Sequence, residues 1–334
     1  MTFHTYVYAA SQSLKVLRSM NAFQDLVGQS KTVELLLQAI ELDRIAPAYL
    51  FCGSPGIGRT MAARSFTQLL LTKDLLTSKQ ELGIRKLATG NHPDLLWVEP
   101  TFMKGGELYT VAQAAEKGLQ YKTPPKIRIE QIRSITQFLN RPALEANRQV
   151  VIIKDAQTMA EAPANALLKT LEEPGNATLI LIAPDADSLL TTLVSRCQRI
   201  QFYRLSEADL ITVLQRHNYQ EILEYPELIA IAQGSPGNAI AAWKQLQSIP
   251  SELLAKLKRS PQTPLEALNF AQAITSEIDS STQLWLVDYL QYYYWQQNQR
   301  VELMSIWEKT RECLLSYVQP RLVWECALLK LIPN

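Results

Sequence analysis

The chain has 334 residues, enough at roughly 100 to 200 per domain for two or three domains with a real core, so a small stapled scaffold is excluded. Its 33 basic and 32 acidic side chains leave a formal net charge of +1, which excludes a polyanion-coating protein and confines any nucleic-acid contact to a local patch. Four scattered cysteines without a C-x-x-C pair, and three histidines without an H-E-x-x-H pattern, argue against zinc ribbons, redox motifs and metallohydrolases and fit a reducing cytosol.

Residues 1–19, MTFHTYVYAASQSLKVLRS, are mildly basic, but aromatic and polar residues interrupt any apolar signal core. Organised patterning begins at Met20, so 1–19 read as an extension that precedes the native start. From Ser30 the apolar positions Val33, Leu36, Leu37 and Ile40 predict a helix, which Pro47 breaks. AYLFC then reads as a buried strand, GSPGIGRT as a glycine loop and Met61 to Leu71 as a helix. The stretch from Thr72 to Pro125 has the weakest periodicity and reads as an irregular insertion.

Beyond it, Ile132, Ile135 and Leu139 share a helical face, and VVII follows as a continuous apolar strand. Pro163 suits a first turn, and Ala164, Leu167, Leu168 and Leu171 form the stripe of the next helix. LILIA at 179–183 is a further strand. Strands that are apolar throughout and alternate with helices predict an α/β fold: a parallel sheet covered on both faces, running to about Phe202. After Tyr203 the chain reads as all-helical, with Ser206 as a cap, GSPGN at 234–238 between two helices, and a Pro-rich joint over 248–264. Leu286, Tyr289, Leu290 and Tyr293 recur at helical spacing inside the aromatic run from Trp285 to Trp295, which is expected at a subunit interface. Two last helices fit 299–318 and 320–332, and none of the apolar runs approaches the roughly 18 residues of a membrane span.

The chemistry concentrates in two places. Gly53 to Thr60 match G-x-x-x-x-G-K-[ST] except at Arg59, where the pattern has lysine. Gly53, Gly56 and Gly58 allow backbone N–H groups to curl around phosphate at a helix N-terminus, and Thr60 could reach magnesium. Arginine's planar fork is larger and differently directed than an ammonium, so the change at Arg59 is not conservative. The strand VVII leads to Asp155, suited to a magnesium-bound water, but Ala156 follows where an ATPase needs a carboxylate to polarise water.

Taken together, FQDLVGQ, AYLFCGSPGIGRT, HPDLLWVEP, IRIEQIR, ALLKTLEEPGNATLILIA and LVSRCQ resemble the clamp-loader branch of the AAA+ ATPases, and within it the delta-prime subunits of bacterial DNA polymerase III. The resemblance covers 21–202 and extends through GSPGN. It implies an AAA+ phosphate-loop domain over 20–203, a small helical lid over 204–248 and an all-α collar for oligomerisation over 249–334. It also implies that Ser195, Arg196 and Cys197 form the motif whose arginine reaches into a neighbour's ATP site. Arg59, Ala156, Ala183 with Pro184, and Asn238 depart together from the ATPase pattern, which implies a subunit that keeps the fold and gives up hydrolysis.

No cofactor is then required, ATP binding stays open, and the family's zinc module is not expected because 72–125 contain no cysteine. The implied partners are gamma/tau ATPase subunits and the delta subunit, with a sliding clamp and primed DNA indirectly, in the cytoplasm and away from membranes. LLKTLEEP, with Glu172 and Glu173, is an interface motif in this resemblance, and on spacing alone a solvated or ion-paired face. One rival is an active clamp-loader ATPase of the gamma/tau kind, with Arg59 still binding ATP and Glu161 or another acid serving as base. Another is a DNA-binding protein of the replication fork, for which Arg141 and Arg148, flanking one loop, would matter; scattered arginines are more often solvated.

Overall fold

Helix α1 (Ser30–Glu41) precedes strand β1 (Ala48–Cys52), the glycine loop and α2 (Arg59–Thr72) in a computed structural model that describes residues 22–119, 123–298, 301–316 and 318–332. The extension expected over 1–19 lies outside the described residues. The chain continues through α3 (Thr77–Ala88), β2 (Leu95–Val98), β3 (Thr101–Lys104), β4 (Glu107–Thr110), α4 (Val111–Glu116), α5 (Ile129–Leu139) and β5 (Gln149–Ile153). A 3-10 turn, Ala156–Thr158, then α6 (Glu161–Glu172), β6 (Ala177–Ala183), the short α7 (Thr191–Val194) and β7 (Gln198–Gln201) complete this part.

Five of these strands form one sheet in the order β2-β5-β6-β1-β7, and every pairing is parallel. The three central strands, β1, β5 and β6, are buried at every residue, which is why they read as unbroken apolar runs rather than as alternating ones. On one face Leu50, Val151, Ile153, Leu179 and Leu181 pack with Ile132 and Ile135 of α5 and Leu167 and Leu171 of α6. The other face is aromatic: the Tyr49 ring meets Phe66 of α2 edge-on at 5.1 Å between centroids, and Phe51 lies 5.3 Å from Phe202. The polar β7 closes one edge, with only Ile200 buried.

The stretch from Thr72 to Pro125 is more ordered than its sequence suggests. It holds α3, an edge strand of the main sheet in β2, and a β3-β4 hairpin whose two-residue turn places Gly105 and Gly106 at φ 61° and 85°. Positive φ at both turn positions is what a type I′ hairpin demands, so the Gly-Gly pair that reads as a breaker is the hairpin signal. Thr110 and Gln113 then form a capping box that starts α4. Just before β2, the buried Asp94 carboxylate accepts the backbone N–H groups of Leu144, Glu145 and Ala146 at 2.7, 2.8 and 2.8 Å. That one side chain fastens the loop between α5 and β5 to the sheet edge.

The structure divides between Asp209 and Leu210 into two compact units. Helix α8 (Glu207–Arg216) crosses the division, and Ser206 caps it by accepting the Asp209 N–H at 3.2 Å. The second unit is all-helical: α9 (Pro226–Ala232), α10 (Pro236–Gln247), α11 (Ser251–Leu257), α12 (Pro264–Glu277), α13 (Ser280–Asn298), α14 (Val301–Leu315) and α15 (Pro320–Leu329). The stretches expected as lid and collar, 204–248 and 249–334, share this unit almost entirely, and the Pro-rich joint contains α11 with Leu253 and Leu257 buried. In the aromatic run of α13, Tyr289 and Tyr294 are buried in the core of this unit, Trp285, Tyr292 and Tyr293 are half-buried and Trp295 is exposed, so the run is divided between core and surface.

Around that run, Glu227 of α9 accepts from the Tyr289 hydroxyl at 2.8 Å and from Lys258 Nζ at 3.2 Å, and the Lys258 ammonium lies over the Tyr293 ring at 5.2 Å. Thr282 also donates to Gln245 Oε1 at 2.9 Å, linking α13 to α10. Burial alone would raise the Glu227 pKa, but its own N–H, the Tyr289 hydroxyl and Lys258 outweigh burial and hold it below the ordinary glutamate value.

Asp94→Ala removes the buried acceptor of three partly exposed N–H groups and is expected to cost about 2 kcal/mol, read as a lower urea midpoint, with hydrogen-exchange protection lost at Leu144, Glu145 and Ala146. Retained protection would show that the loop holds itself. For Glu227, whose folded pKa is depressed, the stabilisation is present above the unfolded-chain value of about 4.3 and is lost as pH falls through the lower folded value. Glu227→Gln is therefore expected to flatten the fall in urea midpoint between about pH 5 and pH 3; an unchanged profile would refute the assignment.

Candidate functional site

The glycine loop is set by close packing at its two ends. A Cβ on Gly53 would lie 2.7 Å from Ile57 Cδ1 and 2.8 Å from the Phe202 carbonyl oxygen, and one on Gly58 would lie 2.6 Å from Leu26 Cδ1. Gly58 is the N-cap of α2 with φ 102°, and Gly56 also has positive φ, at 78°. Gln29 ties the loop to the end of the sheet: its side-chain amide donates to the loop carbonyl of Ile57 at 3.5 Å and to the Tyr203 carbonyl at 2.6 Å, and accepts the Tyr203 N–H at 3.2 Å. The FQDLVGQ string thus supports the loop, a role its sequence alone did not disclose.

Arg59 opens α2, and its side chain turns inward and is only 7% exposed. Burial pulls its pKa down, while the charges of Asp155 and Cys52, at the carboxyl ends of β5 and β1, act in the opposite direction. Its Nη1 is buried with no hydrogen-bond partner among the described residues. The helix start carries no acidic residue in its first turn, and Thr60 is half-buried there. A helix N-terminus, flexible glycines and an unpartnered buried guanidinium fit an anion such as phosphate. Ala156, next to the half-buried Asp155, is fully buried and carries no proton acceptor, and Ala183 is equally buried before Pro184, whose carbonyl accepts the Gly53 N–H at 3.0 Å. Glu161 begins α6 on the surface, and Asn238 lies in the second unit, where its N–H is capped by Ser235 Oγ at 3.2 Å.

Ser195, Arg196 and Cys197 form the turn between α7 and β7. Arg196 Nη1 donates to the Thr192 carbonyl at 2.9 Å and Nη2 to Glu172 Oε1 at 2.8 Å, with the Arg196 side chain 37% exposed. Ser195 Oγ donates to the same Thr192 carbonyl at 3.1 Å. The Cys197 thiol is pushed up to about 12 by burial, so it packs and does not react.

Sheet register separates the two places. Gln198 pairs with Tyr49 in parallel β7 and β1, so Arg196 precedes the amino end of β7 while the glycine loop leaves the carboxyl end of β1. The four residue steps from Tyr49 to Gly53 alone span roughly 13 Å, and the Arg196 side chain is engaged with α6 and α7. The structure therefore brings Gly53, Gly56, Gly58, Arg59, Thr60 and Asp155 to one rim of the sheet and leaves Arg196 at the other.

This is an α/β phosphate-loop fold of the AAA+ kind with a helical unit after it. The chain belongs to the family described as DNA polymerase III, delta subunit, whose model matches residues 28–206, and the model described as cyanobacterial DNA polymerase III delta prime, C-terminal domain, matches 208–331. It is 32% identical over 185 residues to DNA polymerase III subunit delta' of Bacillus subtilis (strain 168), an alignment covering 53% of this chain and 48% of that one. With the Pseudomonas aeruginosa PAO1 subunit delta' it shares 34% identity over 196 residues, 57% of this chain and 54% of the relative. The chain thus spans about half the length of these curated relatives. A DNA polymerase III gamma subunit-related protein of Thermotoga maritima superposes with a TM-score of 0.53 at 18% identity, covering 89% of this chain and 98% of that one, which establishes likeness of fold. Among the described residues no helix is long and apolar enough to cross a membrane, and no cluster of His, Cys, Asp and Glu is placed to hold a metal.

If Arg59 is a buried donor awaiting an anion, millimolar tripolyphosphate or ATP should raise the thermal midpoint of the full chain without any release of phosphate. Arg59→Met should abolish that rise without lowering the ligand-free midpoint, since a buried guanidinium missing a partner contributes little stability. An absent rise in the unsubstituted chain, or turnover by the isolated chain that Arg59→Met removes, would overturn this reading.

Proposed function

We propose that this chain is a non-hydrolysing, delta-prime-type subunit of a DNA polymerase III clamp loader, acting in the cytoplasm with gamma/tau ATPase subunits and a delta subunit. Its task is to supply Arg196 in trans to the ATP site of an adjacent ATPase while the assembly opens a sliding clamp around primed DNA. The observation that carries this reading is that Arg196 lies at the amino rim of the sheet, away from the chain's own glycine loop, with part of its guanidinium still available. The family match and the similarity to subunits named delta' support the assembly part of the reading.

A guanidinium at a subunit boundary offers fixed charge and planar N–H donors to a transferring phosphoryl group, and an arginine supplied in trans is worth about 10³ to 10⁵ in rate in other nucleotide hydrolases. Magnesium-bound ATP in the neighbour supplies the phosphoryl group; this chain contributes orientation and positive charge and neither takes nor gives a proton. In the chain's own loop, the amides around Gly56 and Gly58, with Arg59 and Thr60, would hold a nucleotide's phosphates. Asp155 would face the accompanying cation, and Ala156 leaves no group to activate water. The two rims thus divide binding from donation. Residues 249–334 provide the collar through which the subunit assembles.

A reconstituted complex carrying Arg196→Ala is expected to assemble with normal stoichiometry but to lose about tenfold or more of its DNA- and clamp-stimulated ATPase rate. Full activity in that complex would eliminate the trans role.

A further inference from the structure

Arg196 is held on its own subunit before any neighbour arrives. Glu172 is the last residue of α6, where the negative end of the helix dipole disfavours a carboxylate, and the Arg196 guanidinium 2.8 Å away offsets that. Thr192, four residues back, takes the Nη1 donor at 2.9 Å. Of the five N–H donors of a guanidinium, these contacts use two, and the remaining three have no partner among the described residues. One edge of the fork is therefore anchored while the rest is left for an incoming anion.

Resting on the trans role of Arg196 set out above, we propose that Glu172 is a positioning residue for that arginine. It joins the end of α6 to the turn after α7, and with the Thr192 carbonyl it fixes the plane of the guanidinium. A free arginine would lose several rotatable bonds on meeting a phosphate; one already held on two sides has lost them in advance, so its donors act without reorganising. The pair is also weak enough to coexist with a stronger ligand. Both side chains are substantially exposed, 37% and 53%, so water screens their attraction. A phosphate with more than one negative charge can take the free donors without displacing Glu172.

The LLKTLEEP string acquires a chemical role in this way. Glu172 is its first glutamate, and Leu171 beside it is buried in the sheet-facing core, so the carboxylate is placed by a side chain that cannot shift without disturbing the packing of α6. Glutamine at this position would keep an oxygen to accept from Nη2 but lose the charge, whereas alanine would lose both.

The test is a double-mutant cycle in the reconstituted complex, with clamp- and DNA-stimulated ATPase measured at several ATP concentrations. Glu172→Ala alone is expected to lower kcat about three- to tenfold with KM for ATP unchanged, and Glu172→Gln to retain most of the rate. In an Arg196→Ala background, Glu172→Ala is expected to change nothing further. A normal rate in Glu172→Ala while Arg196→Ala remains slow would reduce the contact to a surface ion pair and sink the proposal, and so would a rate increase, which would mark the pair as a restraint. An equal loss in both backgrounds would assign Glu172 a structural role independent of Arg196. If Arg196→Ala itself retains full activity, it is the trans reading that fails, and the cycle separates that result from the others.

Discussion

Parallel strands share one direction, and this constraint organises the whole first unit. Every strand of the β2-β5-β6-β1-β7 sheet ends at the same rim, so whatever follows a strand collects there and whatever precedes one collects opposite. The glycine loop and Asp155 follow β1 and β5; Glu172 and Arg196 precede β6 and β7. No local adjustment of a loop could bring the two groups together, because the register of β7 on β1 fixes their separation. The sheet acts as a spacer with chemically different faces at its ends.

The elements legible in the sequence are those whose burial is complete. AYLFC, VVII and LILIA are unbroken apolar runs because helices cover both faces of the central strands, and the stripe of α6 stands out because one face only is buried. The edge of the sheet and the hairpin beside it were not legible, for a physical reason: β2, β3 and β4 are four residues each and mostly half-buried or exposed, so neither periodicity nor continuous hydrophobicity develops. What marked them instead was turn chemistry, Gly105-Gly106 and the Thr110 capping box, which reads as a break when periodicity alone is followed. The aromatic run of α13 carries no mark of which of its residues turn inward. Helices α9, α14 and the end of α11 cover Tyr289 and Tyr294, which are core residues, while Trp295 at the end of the run stays exposed.

At the candidate site the residue types were legible and their partners were not. Arg59 and Arg196 stand out from their motifs, but sequence spacing says nothing of where a long side chain turns. Arg59 folds inward to become nearly inaccessible, whereas Arg196 stays near the surface and pairs with a glutamate 24 residues away on a different helix. The helical pairing rule reaches three or four positions and no further, so spacing alone reads Glu172 as solvated or ion-paired without naming its partner. Gln29 and Asp94 escaped for a related reason. Each is a buried polar side chain whose shortest hydrogen bonds go to backbone groups distant in the chain, and the sequence carries no mark of such partners.

Under the proposed non-hydrolysing role, the alanines of the glycine-loop rim bear on how readily hydrolysis could arise there. Ala156 and Ala183 are both fully buried, so each now contributes to packing between the sheet and its helices. A glutamate at position 156 would have to bury a carboxylate in a position that is fully buried within the apolar core of the sheet, where desolvation raises a carboxyl pKa and favours the neutral form. Replacing Arg59 by lysine would leave that obstacle in place. Arg196 meets none of these constraints: its geometry depends on α6, α7 and the register of β7, elements that remain intact whatever occupies the glycine loop. Under the proposed role, the fold is kept for its amino rim, and chemistry at the carboxyl rim can decay without disturbing it.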